Sequence, residues 1–168
     1  MLYTDILNQR LHAALKAFES HETGEELAHV SLSCRRFTEK LADCLYPPRE
    51  EKVNGRKVGQ AEYRNRLWAY IAENVTSDTT RELLIANVED LGKRIDRLDS
   101  LSNKGLHSDV SSSDVNRLLL SLLVVAHDLI SLRPPGGDFS YKPYETTIRS
   151  FMEKVLHQEE RPSRDAEE

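Results

Sequence analysis

Residues 115–132 read VNRLLLSLLVVAHDLISL, and the fold turns on how this stretch is read. Leu118, Leu119, Leu120, Leu122, Leu123, Val124, Val125, Ala126, Leu129 and Ile130 cover nearly every face of a helix. A helix that is apolar all round is surrounded by other elements. Ser121, His127 and Asp128 interrupt the run, and it is too short for a membrane span. The stretch therefore reads as the central helix of a soluble all-α bundle. Ser111-Ser112-Ser113-Asp114 offers a capping serine with an acid three residues on. Arg133-Pro134-Pro135-Gly136-Gly137 ends the helix.

Outward from it, the chain supplies amphipathic companions. Leu7, Leu11, Ala14 and Phe18 recur four, three and four apart and predict a first helix from about Thr4 to Ser20. Leu27, Val30, Cys34, Phe37, Leu41 and Cys44 give a second, from about Glu25 to Leu45, ended by Pro47-Pro48. Tyr63, Leu67, Tyr70 and Ile71, with Trp68 beside them, mark a third over about Gln60 to Asn74. Leu84, Val88, Leu91, Ile95 and Leu98 mark a fourth over about Thr80 to Asn103, with a charged outer face. The short loop after it makes the fourth and fifth helices an antiparallel pair. Asn54-Gly55, between short charged flanks, signals a small type I′ hairpin with two or three residues per arm. Phe139, Tyr141 and Tyr144 form an aromatic loop placed to close one end of the bundle. A last helix is expected from about Tyr144 to His157. Together these predict an up-down bundle of five to six helices in one domain, residues 1–157, followed by a charged, disordered tail, 158–168.

The totals restrict function. The chain has 168 residues and a net charge of −5, from 23 basic and 28 acidic residues. That balance disfavours nucleic-acid binding driven by overall charge, while leaving room for a local basic patch. Cys34 and Cys44 sit ten residues apart on one predicted helix, about 15 Å along its axis, too far to bond each other. They read as reduced, buried thiols of a cytoplasmic protein. The N-terminus has Asp5 early and no uninterrupted apolar run, unlike a signal peptide.

Strong chemical motifs are absent: there is no glycine-rich phosphate loop, paired CxxC, HExxH or GxSxG. His107 and Asp109, or His127 and Asp128, lack the spacing of helical metal ligands, so neither a metal nor a cofactor is expected. His127 reads as a satisfied core or interface polar group. Arg35-Arg36 and Tyr63-Arg64-Asn65-Arg66 are the local basic stretches, and such stretches usually form solvated, ion-paired faces.

One pattern remains. Ser102-Asn103-Lys104-Gly105-Leu106-His107, between a charged amphipathic helix and an apolar one, resembles the HEPN superfamily. These are small all-α domains of bacterial toxins, antiphage systems and CRISPR effectors. Their signature is an arginine, often followed by a polar residue such as asparagine, with a histidine after four to six intervening residues. The motif pairs across a dimer to form a metal-independent endoribonuclease site. The resemblance covers roughly Glu25 to Leu132. It implies His107 as the histidine and Asn103 as the polar residue, in acid/base or phosphate-contacting roles. The arginine is missing, because the allowed positions hold Ser102, Leu101 and Ser100. Cleavage through the RNA 2′-hydroxyl needs a cation near the phosphate, and Lys104, Arg36, Arg64 or Arg66 are the candidates to replace it in space. The resemblance thus implies a defence-system domain that associates with RNA or a partner protein, as a homodimer or with another subunit, without the family's nuclease site. The alternatives are an endoribonuclease using His107 with a cation from another helix or subunit, and a plain helical adaptor.

Overall fold

The structure, a computed structural model, describes residues 3–104 and 110–132 and residues 149, 150 and 153. Among these it contains five helices and one hairpin: α1 Tyr3–Glu19, α2 Gly24–Leu45, β1 Arg49–Val53, β2 Arg56–Val58, α3 Tyr63–Asn74, α4 Asp78–Asn103 and α5 Ser112–Ser131. It is an all-α bundle with a two-stranded appendage. The expected last helix, the aromatic loop and the tail lie outside the described residues, save that 149, 150 and 153 are helical.

Local chemistry sets the helix starts. Thr23 begins α2 with a full capping box: its hydroxyl accepts from Glu26 N–H at 3.2 Å, and Glu26 accepts from Thr23 N–H at 3.1 Å. Both bonds satisfy donors that a helix start leaves open. Ser77 accepts from Thr80 N–H, which moves the start of α4 two residues ahead of the expected Thr80. Ser111 accepts from Asp114 N–H at 3.1 Å and donates to its carboxylate at 2.7 Å, as its spacing predicted. α3 starts at Tyr63, not Gln60, because Glu62 N–H closes a turn on Gly59 and Gln60 gives its carbonyl to Arg66.

The hairpin forms where Asn54-Gly55 places it. Both residues have positive φ, 48° and 77°, as a type I′ turn requires. β1 is longer than expected, with five residues against three in β2, and an irregularity between the Arg49↔Val58 and Val53↔Arg56 pairs absorbs the difference. Val58 is buried against the bundle, and Asn65 donates to the Lys57 carbonyl at 2.9 Å. The Arg56 guanidinium lies 3.5 Å over the Trp68 ring, so that face of the indole is covered.

The centre of the bundle is α2 rather than α5. α2 packs against α1, α3, α4 and α5, whereas α5 packs chiefly on α2 and α4. The cause is a second buried stripe. The expected seam is buried from Leu27 through Val30, Cys34 and Phe37 to Leu41, while its last member, Cys44, is half-buried; beside it run Ala28, Ser31, Thr38 and Ala42, all buried. The two stripes spread over about half the helix circumference, and the small residues let neighbouring helices come close. α5 buries Val115, Leu118, Leu119, Leu122, Leu123, Val125, Ala126, Leu129 and Ile130. It is not enclosed: Arg117, Val124, His127 and Ser131 are exposed, and Leu120, Ser121 and Asp128 half-exposed. His127 is therefore on the surface and not in the core. His21, stacked on Phe18, ties the α1–α2 turn to α5 through its Nε2, 3.0 Å from the Ser112 hydroxyl.

Candidate functional site

The region of interest is the C-terminal end of α4. Asn103 and Lys104 are exposed there, and Lys104 N–H closes the helix on the Ser100 and Leu101 carbonyls at 3.2 Å each. Of the three positions that an arginine would occupy, Ser100 is exposed and the other two are otherwise engaged. Ser102 donates to the Leu98 carbonyl at 2.9 Å, and Leu101 packs against the core. His107 and Gly105 lie outside the described residues.

The four candidate cations do not converge. Arg64 and Arg66 are two positions apart on α3 and so point to nearly opposite sides of it. Arg66 is fully buried. It donates to the Asp43 carboxylate at 2.8 Å, the Tyr46 carbonyl at 3.4 Å and the Gln60 carbonyl at 3.2 Å. It fastens the end of α2 to the start of α3 and offers a phosphate no surface. Arg64 reaches the other way, across Gly92 of α4. It donates to Asp96 at 2.5 Å, the Gly92 carbonyl at 3.1 Å and the Tyr63 hydroxyl at 3.2 Å. A Cβ on Gly92 would stand 2.5 Å from Arg64 Nε, so the missing side chain is what lets the guanidinium lie there. Arg36 projects from the outer face of α2, away from the buried half. Lys104 follows Asp96 by eight residues, about 12 Å along the α4 axis.

Arg35 completes a network that joins three helices. It donates to Asp99 at 2.6 Å and to Asp96 at 3.1 Å, while Ser31 donates to Asp99 at 3.1 Å. Arg35 and Arg64 are both held above the ordinary arginine range. Partial burial works against each charge, and it is outweighed by Asp99 for Arg35 and by the Asp96 and Tyr63 hydrogen bonds for Arg64. An open pocket of about 300 Å³ beside them is lined by Arg35, Glu62, Tyr63, Arg64 and Asn65. Two arginines there face Asp96, Asp99 and Glu62, so the local charge does not favour an anion.

A different surface stands out on the α4–α5 side. Leu83 is 62% exposed and Val124 52% exposed. A shallow groove of about 210 Å³ runs between the two helices, lined by Asn87, Asp90, Leu120, Ser121, Val124 and Val125. The sequence concealed Val124 inside an unbroken apolar run. Leu83 was legible as an apolar residue just off the Leu84–Val88 seam.

Among the described residues, no group of His, Cys, Asp and Glu could hold a metal ion, and no helix is long and apolar enough to cross a membrane. Comparison with protein-family models, curated proteins and solved structures finds no match to this chain.

Proposed function

We propose that the protein is a HEPN-like helical domain of a bacterial toxin or antiphage-defence system, working in the cytoplasm by binding a protein partner and lacking the family's nuclease site. The observation that carries this reading is the α4–α5 groove, which exposed Val124 and half-buried Leu120 line, with Leu83 of α4 exposed besides. Exposed apolar residues clustered around a concavity favour a protein partner. The basic side chains support the same choice. Arg66 is buried, Arg64 is paired with Asp96, and Arg36 and Lys104 stand on separate elements. RNA binding depends on cations gathered along one face, and these are dispersed or neutralised.

The test has two arms. Labelled RNA incubated with the purified protein in EDTA is expected to stay intact. Co-expression with the product of the neighbouring gene is expected to yield a complex that Val124→Lys abolishes and Arg36→Ala leaves unchanged. RNA cleavage that disappears in His107→Ala, with the circular dichroism spectrum preserved, would overturn the reading in favour of a metal-independent endoribonuclease. Asn103 and Lys104, exposed four and three residues before His107, are the groups that such an enzyme would call on first.

A further inference from the structure

We propose that the partner of the α4–α5 face presents an acidic amphipathic helix, with its apolar edge on Leu120 and Val124 and its carboxylates over Lys93, Arg97 and Arg117; this rests on reading that face as the binding surface. The short connection after Asn103 makes α4 and α5 antiparallel. Asn87 and Asp90 line the groove from α4, and Leu120, Ser121, Val124 and Val125 line it from α5. Lys93 and Arg97 lie three and seven residues beyond Asp90, and Arg117 lies four before Ser121. All three therefore stand at the same end of the groove, and all three are exposed.

These cations are not the arginines that fasten the bundle. Ion pairs among the described residues engage Arg35, Lys40, Arg64, Arg66, Arg81 and Arg94, and leave Lys93, Arg97 and Arg117 out. The acids one turn away are committed elsewhere. Asp90 is held by Arg94 at 2.7 Å, Asp96 by Arg35 and Arg64, and Asp114 accepts from the capping Ser111. Glu89, one turn before Lys93, is half-buried and takes no part in those ion pairs. In a chain of net charge −5, three uncompensated cations beside an exposed valine reverse the sign of the surface locally.

Each feature restricts the occupant. A groove of about 210 Å³ with Leu120 and Val124 along it accepts apolar side chains at helical spacing. The cations at its end select carboxylates, and the same charges repel a basic helix. Asp128, one turn past Val124 at the opposite end, is half-exposed and outside those ion pairs, so the carboxylates belong to one half of the partner helix. A phosphate chain would use the cations alone and gain nothing from the valine.

Fluorescence anisotropy with two labelled amphipathic peptides of about five helical turns tests this. Both carry leucines at i, i+3, i+4 and i+7; one has glutamates on the polar face of one half, the other has lysines at the same positions. The glutamate peptide is expected to bind the full chain about tenfold more tightly than the lysine peptide, and less tightly as salt rises. Arg97→Glu and Arg117→Glu should each weaken it severalfold, and so should Val124→Ser, which changes no charge. Circular dichroism checks that these surface variants keep their fold. Equal binding of the two peptides, or no binding of the glutamate peptide, would overturn the proposal. So would a labelled RNA held through Arg97 and Arg117 and indifferent to Val124→Ser, which would assign the cations to phosphate. If the glutamate peptide fails while capture of the neighbouring gene's product still depends on Val124, the partner-binding reading survives and only the acidic character of the partner fails.

Discussion

Asp43→Ala is the substitution that best separates a structural Arg66 from a functional one. Arg66 is fully buried, and its salt bridge to Asp43 at 2.8 Å supplies its charged partner. Without that carboxylate, the guanidinium keeps the Gln60 carbonyl at 3.2 Å and the more distant Tyr46 carbonyl at 3.4 Å, while Nε has no acceptor already. Breaking a buried pair by removing one partner costs about 3–5 kcal/mol. Asp43 is 25% exposed, so water relieves part of this, and about 2–3 kcal/mol is expected. The lost contacts of Asp43 to Gln60 and Lys40 lie near the surface and add little. Arg66→Met on top of Asp43→Ala removes the stranded charge and should recover most of the loss, giving a coupling of about 1.5–3 kcal/mol in the double-mutant cycle. Urea unfolding followed by circular dichroism reads these differences, and Asp43→Ala should lower Tm by about 4–12 °C in a chain of this size. Additive effects, or an Asp43→Ala cost below about 0.5 kcal/mol, would refute the structural role. So would an Arg66→Met protein of native stability that has lost an RNA-binding activity.

The remaining expectations are more local. Leu122→Ala, at a fully buried position of α5, should cost about 2–5 kcal/mol in the same urea assay, whereas Val124→Ala should cost well under 1 kcal/mol. Burial, with a smaller contribution from Asp99, pushes the Cys34 thiol up to about 12, so a thiol reagent at pH 8 should label half-buried Cys44 first and reach Cys34 only on unfolding. Hydrogen bonds from the Glu22 and Thr23 backbone hold the Glu26 carboxyl below its usual range. A lowered folded value means that this contribution is present above the ordinary glutamate range and is lost as pH falls through the folded value. The stability gap between native protein and Glu26→Gln, measured by urea titration, should therefore close on acidification.

Much of the architecture was legible because it is written in the spacing of large apolar residues. The seams of α1, α2 and α4 lie where Leu7–Phe18, Leu27–Leu41 and Leu84–Leu98 put them, and Asn54-Gly55 marked the hairpin turn. The centrality of α2 was not legible. Its second stripe is built from Ala28, Ser31, Thr38 and Ala42, which carry no hydrophobic signal and act through what their small size permits. The greasiest segment, α5, invites the opposite reading, because a high apolar count does not by itself mean enclosure. A surface helix can carry an exposed valine when a partner or simple tolerance allows it.

The basic stretches show why a list of basic residues is a poor guide to a phosphate site. Arg35, Arg64 and Arg66 sit in basic sequence neighbourhoods, yet each ends beside an acid from a distant part of the chain: Asp99 and Asp96 on α4, and Asp43 on α2. Asp96 and Asp99 are three apart on α4, so both turn toward the groove where α2 and α3 bring their arginines. A phosphate approaching Arg64 would have to displace Asp96 from 2.5 Å, and one approaching Arg35 would meet both carboxylates. Asp96→Asn discriminates directly. If the network is a fastening, the substitution lowers stability modestly, by about 0.5–1.5 kcal/mol for a half-exposed acid shared by two arginines, and leaves RNA retention at background. If the arginines are a masked phosphate site, removing the acid should instead raise salt-dependent RNA retention severalfold in a filter-binding assay, and the preference for a protein partner would fall.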